Sequence, residues 1–156
     1  MEIDIEKAIR EYLPQIVHMS LGTSKNNKPW VCEVHFVYDD NLNLYFRSLA
    51  SRRHSQEIAE NPSVAGNIVR QHALGEYPMG VYFEGKAAMM QPGDDQNKVA
   101  ALIKNNLKHP DDILADAMRD DGHKLYKITV ANWYVFGKLD GQKAQKHLLE
   151  WNGGKK

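Results

Sequence analysis

Arg52 and Arg53 are adjacent cations placed where the sequence predicts a helix to start, immediately after Ser51. That is the unfavourable end for positive charge, because the free first-turn amides and the helix dipole already make it positive. A phosphate group resolves the conflict. It accepts hydrogen bonds from the first-turn amides and the Ser51 hydroxyl while the two guanidinium groups neutralise it. Arg47 and Ser48, at the end of the strand leading into the turn, can reach the same point, and His54 can join when protonated. The spacing leaves a second reading open, in which both arginines are solvated and Arg53 pairs with Glu57 one helical turn on.

Other reactive residue types form weaker patterns. The histidines His18, His35, His54, His72, His109, His123 and His147 include no His-Glu-x-x-His or paired Cys/His spacing, so no dedicated metal site is expected. Cys32 is the one cysteine, which excludes an intrachain disulfide and suits a reducing compartment. Alternating with Val34 and Phe36 on an apolar strand face, it reads as an inert thiol. Asp111, Asp112, Asp116, Asp120 and Asp121 lack the spacing of a calcium loop and read as a solvated face. No nucleophile elbow, phosphate-cradling glycine loop or dinucleotide fingerprint occurs.

These residues must be positioned by a small scaffold. The 156 residues suit one domain over residues 1–156, with 152–156 as a loose tail. Lys+Arg and Asp+Glu balance at 20 each, so no global field draws the chain to nucleic acid or anionic membrane. No apolar run approaches the roughly 18 residues of a membrane span. The acidic start, Met1-Glu2-Ile3-Asp4, is unlike a signal peptide, and a cytoplasmic location is expected.

Periodicity predicts a helix over residues 3–13 and strands over 15–23, 30–38 and 42–46, joined by short polar turns as an antiparallel meander. A helix over 51–61 follows, with Ser51 as its cap and Asn61-Pro62 as its stop. Strands are expected at 63–70, 79–90 and 124–136, and a last short one at 146–151. Between them, Asp94 is the expected cap of a helix bearing Val99, Leu102, Ile103 and Leu107, and residues 113–118 form another. In the long strand, Ile128, Val130 and Tyr134 are expected on one side and Leu125, Trp133 and Val135 on the other. The fold class is mostly β, a small barrel with peripheral helices.

The run Tyr45-Phe46-Arg47-Ser48-Leu49-Ala50-Ser51-Arg52-Arg53, followed by Asn61-Pro62-Ser63-Val64-Ala65, resembles the signature of the pyridoxamine 5′-phosphate oxidase-like, FMN-binding split-barrel superfamily. Lys28-Pro29-Trp30, the Asp39-Asp40 turn and Gly85-Lys86-Ala87 support the resemblance over roughly residues 5 to 136. It implies a six-stranded antiparallel split barrel that forms a homodimer with FMN at the subunit interface. It implies that Arg52 and Arg53 hold the phosphate, that Arg47, Ser48, Ser51 and His54 surround it, and that Glu33, Val34 and His35 run along the flavin ring. Trp133 and Trp151 are expected in the core or dimer interface rather than on the ring. Cys32, Val37 and Gly80 stand where the oxidase proper carries Arg, Lys and Gln, so the resemblance is to a related protein, not to that enzyme. The implied activity is a flavin-dependent oxidoreductase acting on a small organic substrate, with NAD(P)H as a candidate donor. Flavin storage without turnover, or haem or deazaflavin in the same cleft, are the alternatives. No catalytic side chain is identified.

Overall fold

The computed structural model describes residues 3–139 and 144–154. Its elements are α1 (Ile5–Tyr12), β1 (His18–Lys25), β2 (Lys28–His35), β3 (Val37–Tyr38), β4 (Leu44–Ser48), α2 (Arg53–Glu60), β5 (Ser63–Ile68), β6 (Gly80–Met89), α3 (Gln96–Leu107), α4 (Ile113–Met118), β7 (Lys124–Gly137) and β8 (Gln145–Glu150). Asp4, Asp95 and Asp112 cap α1, α3 and α4 through their carboxylates. The cap of α3 is therefore Asp95, one residue beyond the expected Asp94. Asn26 and Asn27 both adopt left-handed backbone angles, which lets two residues close the β1–β2 hairpin.

All the strand pairings among the described residues are antiparallel, in the order β2-β1-β5-β6-β7-β4-β3, with β8 added to β7. This is the mostly-β split barrel with outer helices that the sequence predicts, one predicted strand being divided into β2 and β3. The division falls at Phe36. Its amide donates to the Val17 carbonyl at 3.1 Å, and Phe36 and Val37 are both buried, in different cores. The alternation itself continues across the division, since Cys32, Val34, Phe36 and Tyr38 all pack against the larger core; what changes at Phe36 is the partner strand, β1 before it and β4 after it. Trp30, expected on the buried face, is 40% exposed.

The larger core fills the curled sheet and includes Met19, Phe46, Phe83, Tyr126 and Trp133. The smaller one lies between the other face of β3, β4 and β7 and the helices α3 and α4, and includes Tyr45, Val99, Ile103 and Leu125. Because β4 is covered on both faces, Leu44, Tyr45 and Phe46 are all buried.

The expected faces of β7 need correction. Gly85 pairs with Val130 and Glu84 with Asn132, so Ala131 is an extra residue in β7, a bulge. It switches the phase, and Ile128, Val130, Trp133 and Val135 all enter the larger core. A side chain on Gly85 would collide with the Thr129 carbonyl, which explains the glycine opposite the bulge. The tail is not loose at 152–154. The amides of Trp151 and Asn152 both donate to the Ala131 carbonyl at 2.8 Å, and Gly153 donates to Val130. Residues 155–156 lie outside the described residues.

Candidate functional site

A cleft of about 380 Å³ opens where three segments meet: the end of β2, the end of β4 with the turn into α2, and the α3–α4 segment. Of the nine residues singled out by sequence, it brings together Glu33, Val34, His35, Arg47, Ser48, Arg52 and His54. Ser51 and Arg53 do not line it. The third wall comes from residues the sequence reading assigned no binding role, Ile103, Leu107, His109 and His123.

The turn into α2 differs from expectation by one residue. The Arg52 amide donates to the Leu49 carbonyl at 3.1 Å, which closes a tight turn with Ser51 inside it. Arg52 therefore takes the cap position, with extended backbone angles, and no side chain caps the first turn. The exposed Arg52 guanidinium makes no hydrogen bond or ion pair with another described residue.

Arg53 follows the second reading of the sequence. Its Nε donates to Glu57 Oε2 at 2.8 Å, and its guanidinium lies 4.2 Å from the centre of the Trp30 ring. Glu57 also accepts from the Thr23 hydroxyl at 2.8 Å. The Arg53 and Thr23 hydrogen bonds hold the Glu57 carboxyl below its usual range. These contacts tie α2 to β1 and β2.

His54 is buried, and its Nε2 shares a 2.7 Å hydrogen bond with Ser48 Oγ. Burial, reinforced by the charge of Arg52 and opposed by Glu57, pushes its imidazole down. His54 is therefore a neutral partner of Ser48, not the protonated participant expected. Glu33 turns its carboxylate towards β1, where it accepts from the Ser20 hydroxyl and from His18 Nδ1 at 2.9 Å. This pair borders a second, shallower groove of about 510 Å³, shared by Glu33, Val34 and His35. Cys32 packs against the larger core, and burial, with the Glu33 charge, pushes its thiol up to about 11, the unreactive state expected.

The acidic run holds the principal surprise. Asp116 is buried, not part of a solvated face. Its carboxylate accepts from Arg47 Nη2 at 2.7 Å, Arg119 Nη2 at 2.6 Å, and both the backbone amide and Nδ1 of His123 at 3.0 Å. Burial alone raises the Asp116 carboxyl, but the His123 hydrogen bonds and the Arg47 and Arg119 charges hold it below the usual range. Arg47 Nη1 also donates to His109 Nε2 at 3.2 Å, while Arg47 Nε is buried without a partner. The one sequence signal for this cluster was a carboxylate, Asp116, on the same helical stripe as the buried Ile113.

A profile of the family described as pyridoxamine 5′-phosphate oxidase matches residues 5–137. No curated protein matches by sequence. Among solved structures, general stress protein 26 from Bacillus anthracis is 18% identical, with a TM-score of 0.67 over 95% of this chain and 99% of that one. A haem binding protein from Mycobacterium smegmatis is 15% identical, with a TM-score of 0.71 over 96% of this chain and 59% of its own length. An FAD-binding protein from Mesorhizobium loti is 14% identical, with a TM-score of 0.64 over 85% and 92%. At these identities the likeness is one of fold. No helix among the described residues is long and apolar enough to cross a membrane.

Proposed function

Because the chain belongs to the pyridoxamine 5′-phosphate oxidase family, we propose that its cleft binds FMN, with the phosphate at the start of α2, and serves a flavin-dependent oxidoreductase acting on a small organic substrate. The observation that carries this reading is Arg52, an unpaired cation beside an uncapped first helical turn and the Ser48 hydroxyl, all at one cleft.

The residues present fit such a group. The cleft volume lies within the roughly 300–1,000 Å³ of small-ligand pockets. The buried Arg47 Nε lacks an acceptor, which a ligand atom would provide. When bound, the flavin supplies the hydride chemistry. Arg52 and the α2 amides neutralise and orient the phosphate, and His54 holds the Ser48 hydroxyl in place. The backbone of residues 33–35 borders the ring, and Ile103 and Leu107 exclude water beside it. Nicotinamide dinucleotides are the proposed electron donors and the cytoplasm the proposed location.

A second copy of the chain completes the site on this reading. Val31 on β2 and Val69, just beyond β5, are both exposed, and Val69 lines the shallow groove, which supports an interface there. Light scattering should give twice the 17.8 kDa chain mass, and a monomer at micromolar concentration sinks this part.

The test of the cofactor compares two flavins. Arg52→Ala should weaken FMN about 10- to 100-fold, the range of a hydrogen bond to a charged group. Riboflavin, which has no phosphate, should be little affected. Equal losses for both would refute the phosphate position. A second reading, haem, draws on the imidazoles of His35, His109 and His123 at the same cleft. The absorbance spectrum of the purified chain separates flavin from haem.

A further inference from the structure

The α3–α4 wall contains an arrangement that phosphate binding leaves unused. Asp116 is held as a carboxylate, and a carboxylate can only accept, so the proton between it and His123 sits on Nδ1. The ring is thereby fixed in one tautomer and one orientation, as a buried carboxylate does for a catalytic imidazole. Nε2 of His123 has no partner among the described residues, and the side chain is 47% exposed at the cleft.

No other imidazole at the cleft combines these properties. His54 is neutral and bound to Ser48. His109 has both ring nitrogens engaged, Nε2 by Arg47 and Nδ1 by the Asp111 amide at 3.2 Å. His35 makes no hydrogen bond to a carboxylate among the described residues.

We propose that His123 is the catalytic proton donor of this cleft, delivering a proton from Nε2 to an acceptor, for which a quinone serves as the probe, that takes a hydride from the reduced flavin, with Asp116 as its positioning residue. The proposal rests on the flavin reading. A quinone becomes a hydroquinone by gaining two electrons and two protons. It takes a hydride from the reduced flavin, which is thereby oxidised, and the second proton from His123. The imidazolium left as imidazole regains its proton from water at its exposed edge. Arg47 cannot serve, since an arginine does not release its proton near neutral pH.

The charged and titratable groups around His123 are Asp116 and Arg119 from α4 and its end, Arg47 from β4, His109 from the α3–α4 loop and Lys124 beside it on β7. A pH profile alone therefore reports the cluster, and the test rests on a substitution.

The full chain, loaded with FMN and reduced by light, is mixed with a water-soluble naphthoquinone or with ferricyanide, which takes an electron but no proton. His123→Gln should slow oxidation by the quinone about 100-fold, the scale of general acid catalysis, and leave the ferricyanide rate unchanged. In the chain without flavin, nitrogen NMR should show the neutral His123 ring as the Nδ1–H tautomer. An unchanged quinone rate, equal slowing with both acceptors, or an Nε2–H tautomer each overturns the proposal. A chain that retains no flavin overturns the flavin reading and the proposal with it, and shows this before any rate is measured.

Discussion

At the start of α2, Arg52 stands without a partner while its neighbour Arg53 is paired with Glu57 and stacked on Trp30. At the α3–α4 wall the guanidinium groups are engaged instead: Arg47 and Arg119 converge on Asp116, and His123 completes the set. The first wall keeps a charge available for a ligand. The second uses its charges to hold α4 and the loop before it against β4 and the start of β7, and to aim an imidazole. Adjacency in sequence misleads in both places. Two neighbouring arginines do different work, and one aspartate in a dispersed acidic run anchors a whole segment.

The largest effect should follow from breaking the second wall. Asp116→Ala leaves Arg47, whose side chain is only 12% exposed, without its carboxylate. A loss of about 3 kcal/mol is expected in a denaturant titration, the lower end for a severed buried pair. A loss below 1 kcal/mol would mean that the cluster is merely a surface network. The same group carries an acid signature. Its carboxyl is held below the ordinary 3.8 in the folded chain, so its contribution is complete above that value and is lost as pH falls below it. In Asp116→Ala that part of the acid sensitivity should disappear.

The smallest effect should come from Arg53→Ala. Its side chain is 48% exposed, and such pairs contribute about 1 kcal/mol or less. FMN affinity should survive this change, in contrast to Arg52→Ala. If the two substitutions weaken FMN alike, the division of labour between the arginines is wrong.

Much of the fold was legible because its signals are local. Helix spans, the Asn26-Asn27 turn and the change of period after residue 50 each involve a few neighbouring residues, although the caps of α2 and α3 fall one residue beyond the expected Ser51 and Asp94. The division at Phe36 and the phase change at Ala131 were not legible, because both depend on strand pairing between distant segments, β2 with β1 and β3 with β4 in the first case and β7 with β6 in the second. At the site, Arg52 and Ser48 were readable from the conflict at a helix start. The fate of Arg53 was visible only as an alternative, since Glu57 was an obvious partner while Trp30 and Thr23 come from other strands. His109, Asp116 and His123 were missed as a group. They are dispersed over 15 positions of the sequence and come together only when α4 folds back on β4 and β7.

The extra residue at Ala131 has a consequence for how this chain can vary in length. It converts β7 from a strand with one inward parity to a strand with two, so everything beyond it is placed by counting. Removing Ala131 would restore plain alternation and leave Trp133 and Val135 inward, but it would take from Trp151 and Asn152 the carbonyl that they share, whereas one further residue without a second bulge would turn Trp133 and Val135 outward. Hairpin tips can gain or lose residues at little expense, but here an insertion misplaces the core while a deletion at the bulge releases the C-terminal segment, so the two changes fail in different places.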